Sequence, residues 1–149
     1  MKKTALLFIF SCAFILSANA QLYKNSIGVA LGSPTGFQYK TFISDQNAVD
    51  LTLGTNYRGF NLTGAYEWNF PIPDAANFQW YIGPAAAVGY WDHKDDNGFF
   101  LAVYGGGGVE YKFDDIPLVL SLDLFPVGIS FVEHSGYTFQ SRLGIRYTF

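Results

Sequence analysis

The stretch "SRLGIRYTF", residues 141–149, ends the chain on an aromatic. Leu143, Ile145, Tyr147 and Phe149 occupy every second position, with Arg142, Gly144, Arg146 and Thr148 between them. Successive side chains of a β-strand point to opposite faces, so this alternation predicts a strand with one apolar and one polar face. Chain ends are normally polar and frayed because no packed element holds them. A terminal Phe149 with three apolar residues behind it therefore requires an apolar partner along a whole face.

The same period of two recurs through the chain. It predicts strands at 25–33, 36–44, 48–57, 60–70, 78–91, 99–113, 117–127 and 137–149, eight in all. No segment after residue 20 carries a helical stripe or a run long enough for a membrane helix. One face of these strands holds the bulk: Ile27, Val29, Leu31, Phe37, Tyr39, Leu51, Leu53, Trp68, Phe78, Trp80, Ile82, Leu101, Val103, Leu120 and Leu122. The other is polar or small, with Gln38, Thr52, Asn61, Thr63, Gln79, Gly83, Ala85, Ala87 and Ser121. A soluble sandwich or a ligand-carrying barrel also alternates, but turns its apolar face inward. An eight-stranded barrel has an interior just wide enough for side chains, so the bulky face fits outside and the small, charged face inside. An outward apolar wall is stable only in lipid, and a closed barrel is the sheet that leaves no backbone edge unpaired there. The expected fold is all-β: an eight-stranded antiparallel up-and-down transmembrane β-barrel with a filled polar lumen.

The start of the chain agrees with an envelope destination. Lys2 and Lys3, the apolar run "TALLFIFSCAFILS" and the small residues Ala18-Asn19-Ala20 have the three-part form of a secretory signal peptide over 1–20, cleaved near Ala20. Residues 21–149 then form the barrel domain. Cys12, the sole cysteine, falls in the leader, which excludes disulfides, thiol nucleophiles and Cys-based metal sites from the mature chain. Without Lys2 and Lys3, seven basic residues face twelve acidic ones, and nothing forms the basic footprint of a nucleic-acid binder. The chain is 19% aromatic and only 14% charged, where about 25% charged is usual. Tyr57, Trp68, Phe70, Trp80, Tyr90, Trp91, Tyr111, Tyr147 and Phe149 lie near strand ends, where the two interfacial girdles of a membrane barrel need aromatics.

Turn residues separate the strands: "SDQN" at 44–47, "PIPDAAN" at 71–77 and "DDIP" at 114–117 on one side. The opposite connections fall near 33–35, 56–59, 92–98 and 128–136. With a leader, eight alternating segments and the closing "LGIRYTF", the whole chain resembles small outer-membrane β-barrel proteins of the OmpA and OmpX type. The resemblance implies residence in the outer membrane of a Gram-negative-type bacterium. Its implied partners are outer-membrane lipid, the barrel assembly machinery and periplasmic chaperones. It also implies that Leu143, Ile145, Tyr147 and Phe149 act as the assembly signal. The outer connections are much shorter than in relatives that bind cells through long loops, which argues against carrying over an adhesin role.

The predicted inward charges are Lys40, Asp50, Glu67, Glu110, Lys112, Asp123, Arg142 and Arg146, four of each sign. A narrow lumen cannot hydrate isolated charges, so the expectation is a paired structural plug; a gated polar path is the sharper reading and needs a wider barrel. "EHSG" at 133–136 is the best catalytic candidate, but His134 and Ser135 are neighbours on a strand and point apart. "DHKDDNG" at 92–98 lacks the pattern of a calcium loop, and "GGGG" at 105–108 lacks the Lys-Ser/Thr of a phosphate loop. "NLT" at 61–63 matches a glycosylation acceptor but lies in a predicted strand. No cofactor and no metal is expected. The expected function is a monomeric structural or surface-interaction protein of the envelope without an open pore. The alternatives are a lipid A-modifying enzyme and a minor small-solute pore.

Overall fold

The computed structural model describes residues 21–56, 59–93, 96–131 and 136–149. Its elements are strands: β1 (Asn25–Ser33), β2 (Thr35–Phe42), β3 (Asn47–Asn56), β4 (Gly59–Ile72), β5 (Ala75–His93), β6 (Asp96–Lys112) and β7 (Leu118–Phe131). The eighth, β8, runs in two segments, Gly136–Tyr137 and Gln140–Thr148. Every strand pairs antiparallel with its sequence neighbours. β8 returns to β1, from Ser26↔Thr148 to Ser33↔Ser141, and so closes the sheet. Among the described residues no helix is long and apolar enough to cross a membrane; the strands are the elements that matter here.

Closure requires the strands to tilt, and the register shows the stagger that produces it. Ser26 pairs with Lys40, Lys40 with Asp50, Asp50 with Ala65, Ala65 with Ala85, Ala85 with Tyr104 and Tyr104 with Gly128. A path perpendicular to the strands thus begins near the start of β1 and arrives in the far half of β7. The end holding both termini and the turns at 43–46, 73–74 and 113–117 is called the inner end below. The chain terminus is fixed into this seam: Phe149 N–H donates to the Asn25 carbonyl at 3.0 Å, and Asn25 N–H to the Phe149 carbonyl at 3.1 Å. The terminal aromatic is therefore part of the wall, with its ring outside.

Side chains alternate as the sequence predicts. On β5 every second residue from Gln79 to Gly89 is buried, while Trp80, Ile82, Val88 and Tyr90 are exposed. Two boundaries differ from expectation. "PIPDAAN" is no loop: β4 and β5 continue until Ile72 faces Ala75, and the chain reverses through Pro73 and Asp74. Asp74 holds φ at 63°, a left-handed conformation that Asp tolerates in turns. β7 runs on to Phe131 rather than stopping at 127. It passes Pro126 by a bulge, since a proline cannot donate to the ladder. The register shifts by one residue on both sides of that point, against β6 between Gly105 and Gly107 and against β8 between Gln140 and Tyr137.

Inside, three layers stack along the axis. Tyr23, Phe42, Ala48 and Val119 form an apolar cluster at the inner end. Ala65, Ala85, Ala87, Ala102, Tyr104 and Phe125 form another in the outer half. The charged residues lie between them.

Candidate functional site: the charged interior

The inward parity that buries Gln38 and Gln79 also buries Lys40, Asp50, Glu67, Glu110, Asp123, Arg142 and Arg146, each at most 3% exposed. Lys40 on β2 sits opposite β6. Its Nζ lies 2.8 Å from Glu67 Oε2 and 3.0 Å from Glu110 Oε2, donates to Asn69 Oδ1 at 3.0 Å, and stands 4.3 Å from the centre of the Tyr81 ring. The approach to Glu67 is close but off the hydrogen-bond direction, so that contact is mainly coulombic. Arg146 on β8 reaches past β7 to Glu110, Nη2 to Oε2 2.6 Å, and its Nη1 lies 3.7 Å from Asp50 Oδ2. Arg142 pairs along the wall with Asp123, its direct partner across the β7–β8 ladder, Nε to Oδ2 3.1 Å. Arg142 also donates from Nη1 to Thr52 at 2.6 Å and lies 3.8 Å from Asp50.

Lys112 stands apart from this group. It is half-buried at the inner rim, and its Nζ donates to the carbonyls of Phe113 and Ile116 in the turn after β6. The cluster therefore brings together three cations and four carboxylates, rather than the equal count of signs that including Lys112 had suggested. Neutral donors complete the shells of Glu110, Asp123 and Asp50. Tyr23 donates to both Glu110 oxygens, at 2.9 and 3.1 Å, and Gln79 donates to Glu110 as well. Tyr81 donates to Asp123, and Gln38 donates to Asp50 at 2.9 Å and to Asp123 at 3.3 Å. Buried charges persist only when paired and hydrogen-bonded, and here every carboxylate has at least one cation within reach.

Tyr23 and Tyr81 were not among the residues singled out from the sequence. Tyr81 is hidden in the run "FQWYIG", where its neighbours Trp80 and Ile82 face outward; its parity with Gln79 is the signal that places it inside. Tyr23 precedes the first strand, and no periodicity reaches it. The run "GGGG" finds its physical reason beside this site: a Cβ on Gly108 would lie 2.5 Å from the Tyr81 hydroxyl, so the phenol occupies the room that glycine leaves. Leu143, Ile145, Tyr147 and Phe149 share the outer face of β8, and Ile145 is the least exposed of them.

Glu133, His134 and Ser135 lie outside the described residues, as do Lys94 and Asp95 of the "DHKDDNG" segment. Among the described residues no group of three His, Cys, Asp or Glu side chains is placed to hold a metal ion. What the interior arrangement does chemically is cross-link: its contacts join β2 through β8 and the segment before β1 through one desolvated cluster.

No protein-family model matches the sequence, and no curated protein matches it either. Among solved structures the chain is similar to the N-terminal β-barrel domain of Pseudomonas aeruginosa OprF, with a TM-score of 0.57 at 14% identity, over 84% of this chain and 95% of that one. With the register closed between β1 and β8, the chain has the eight-stranded antiparallel barrel fold of the OmpA and OprF type.

Proposed function

We propose that the chain is an outer-membrane barrel that acts as a structural or surface-interaction protein of the envelope, with its interior closed by the charge cluster. The observation that carries this reading is the reversal of burial. Lys40, Arg142 and Arg146 are inside, while Phe37, Leu51, Trp80, Ile82, Leu122 and Leu143 are outside. In water that wall would be a large exposed apolar patch, whereas in a bilayer it is the ordinary contact surface. The likeness to the OprF barrel domain supports the same placement. Delivery would follow from cleavage after the 1–20 leader, escort by periplasmic chaperones, and recognition of Leu143, Ile145, Tyr147 and Phe149 by the barrel assembly machinery.

Closure of the lumen is supported by the apolar layers on both sides of the charges. Ions crossing the barrel would meet Phe42 and Val119 at one end and Tyr104 and Phe125 at the other, besides displacing fixed partners in between. Reconstitution into planar bilayers is expected to show no steady conductance. Sustained large channels from the purified protein would overturn the plug and favour the pore reading. The lipid A-modifying alternative is tested separately by mass spectrometry of lipid A from cells lacking the gene, or carrying it as wild type or His134→Ala. No acyl chain is expected to track His134.

A further inference from the structure

We propose that the outer half of the lumen is a cup for one neutral hexose unit, held by the Asn61 amide and covered by the rings of Phe100 and Trp91. This goes beyond the structural role above; only the facing of the cup, toward the cell's surroundings, rests on the membrane placement.

The floor of the cup is a polar bridge. Gln140 on β8 and Thr63 on β4 stand on opposite sides of the closed eight-stranded ring, yet Gln140 Nε2 donates to Thr63 Oγ1 at 3.4 Å. Thr63 pairs with Thr52, which accepts from Arg142 Nη1, so the charge cluster begins directly beneath. Above the bridge the inward positions turn small. Ala87 and Ala102 are ladder partners, and Gly54 and Gly89 flank Asn61 on its two neighbouring strands. An eight-stranded barrel has room inside for packed side chains or for one small ligand. The inner half is filled by Arg, Lys, Tyr and Gln side chains, whereas alanine and glycine leave this part of the outer half wide.

Asn61 is only 1% exposed, and among the described residues neither its Oδ1 nor its Nδ2 has a hydrogen-bond partner. Gln140 Oε1, on the bridge, has none either. Interiors pair such groups, so an amide buried with both ends open marks a place where a bound molecule supplies acceptor and donor together. Two aromatic rings stand over it. Phe100 follows the inward parity of Ala102 and Trp91 that of Gly89, and their rings stack at 6.3 Å with planes 29° apart. Asn61, Gly89 and Phe100 lie on one line of the register. A Cβ on Gly89 would collide with Cε1 and Cζ of Phe100, so that ring reaches across β5 toward Asn61 and covers it from the mouth.

The occupant follows from these two kinds of surface. Water would satisfy the amides but has no apolar face for the rings. A pyranose has both: hydroxyls on adjacent carbons that donate and accept, and a C–H face that packs on an aromatic ring. Between Arg142 and the Phe100–Trp91 pair, no inward side chain among the described residues is charged. An ionic ligand would be buried there without a counter-charge, which selects a neutral sugar over an acidic one. Phe100 is half-buried at the mouth, and rotation about its side-chain bonds admits the sugar. A free hexose and the terminal unit of a glycan chain share this chemistry.

The test uses Trp91 as its reporter. Of the three tryptophans, Trp68 and Trp80 face outward, and replacing both by Phe leaves Trp91 alone at the mouth. The full mature chain in this background is refolded in detergent micelles and titrated with D-glucose, D-galactose and D-mannose, each also as its methyl glycoside. At least one hexose is expected to change Trp91 emission saturably at millimolar concentration. Asn61→Ala is expected to weaken that binding about tenfold, Ala87→Leu to abolish it by filling the wall, and Leu122→Ala, outward on β7, to leave it unchanged. Asn61→Ser and Ala102→Val take the place of either variant that fails to refold. Binding of the glycoside as well assigns the end of a glycan chain, and binding of the free sugar alone assigns a free hexose. No saturable response to any of the three sugars would overturn the proposal, as would equal affinity in wild type and the cup variants. Protein that inserts into vesicles yet binds no hexose loses the cup alone, whereas protein that binds in micelles but does not insert loses the membrane placement.

Discussion

At Arg142, one guanidinium ties its own strand β8 to two others: Asp123 beside it on β7, and Asp50 and Thr52 on β3. Arg142→Ala removes a cation from a cluster that already holds more carboxylates than cations, and strands Asp123 in a layer closed by apolar clusters on both sides. Breaking a buried pair by deleting one partner costs about 3 kcal/mol. We expect a loss of that order in urea unfolding of the refolded barrel in vesicles, with partial recovery in Arg142→Ala/Asp123→Asn, where the stranded charge is gone. An Arg142→Ala barrel as stable as wild type would show the cluster to be hydrated rather than sealed. The sequence exposed most of these residues because a period of two sorts side chains to one face or the other without reference to partners. It did not distinguish Lys112, which has the right parity but lies one pair nearer the turn than Glu110, where the carbonyls of Phe113 and Ile116 are within its reach. Nor did it show which carboxylate each arginine meets. Asp123 is a ladder neighbour of Arg142, but Glu110 meets Arg146 only because the guanidinium reaches past β7 over the curved inner wall.

Among the strands, β8 shows how much a single terminal residue can carry. Phe149 exchanges two main-chain hydrogen bonds with Asn25 at the seam where the first and last strands meet. Deleting it removes those bonds together with the last outward aromatic of the strand proposed as the assembly signal. The deletion is expected to lower the amount of barrel reaching outer membranes several-fold when assembly machinery is limiting, while whatever does assemble runs on gels, unheated, as wild type does. Normal membrane levels of the truncated chain would separate the terminal residue from any targeting role. Strand number and facing were legible from alternation alone; strand ends were not. Pro73 and Asp74 mark a turn, yet the sequence does not say that the flanking residues stay paired up to it. At Pro126 the sequence suggests a stop, whereas the sheet absorbs the missing donor with one extra residue and continues to Phe131. Propensity describes a residue's own preference, and a ladder with partners on both sides can override it.

Taken as a whole, the barrel has an uneven wall, and a bilayer of one thickness cannot match all of it upright. β1, β2 and β3 contain 9, 8 and 10 residues, against 19 in β5 and 17 in β6. Strands of about 9–11 residues suffice to cross a membrane at ~45° tilt, so the short side fits without surplus. On the long side, the outward series from Phe78 to Tyr90 spans roughly 28 Å along the axis at ~3.3 Å per residue and that tilt. On β1 the series from Ile27 to Leu31 spans only roughly 9 Å on the same geometry. The surplus is apolar: Tyr90 and Phe99 pack edge to face at 5.4 Å near the outer end, with Leu101, Ile129 and Phe131 exposed beside them. Leaving those residues in water is costly, whereas leaning the barrel toward β5 and β6, or thinning the bilayer at β1–β3, costs fractions of a kcal/mol per Å of mismatch. We therefore expect the long side to stay in hydrocarbon to its outer end. A nitroxide introduced at Phe99 in vesicle-inserted protein should be relaxed by oxygen and shielded from a water-soluble nickel chelate. Strong nickel relaxation at that site would place the upper wall in water and the barrel upright, and would leave the exposed aromatics of β5 and β6 to be covered by something other than lipid.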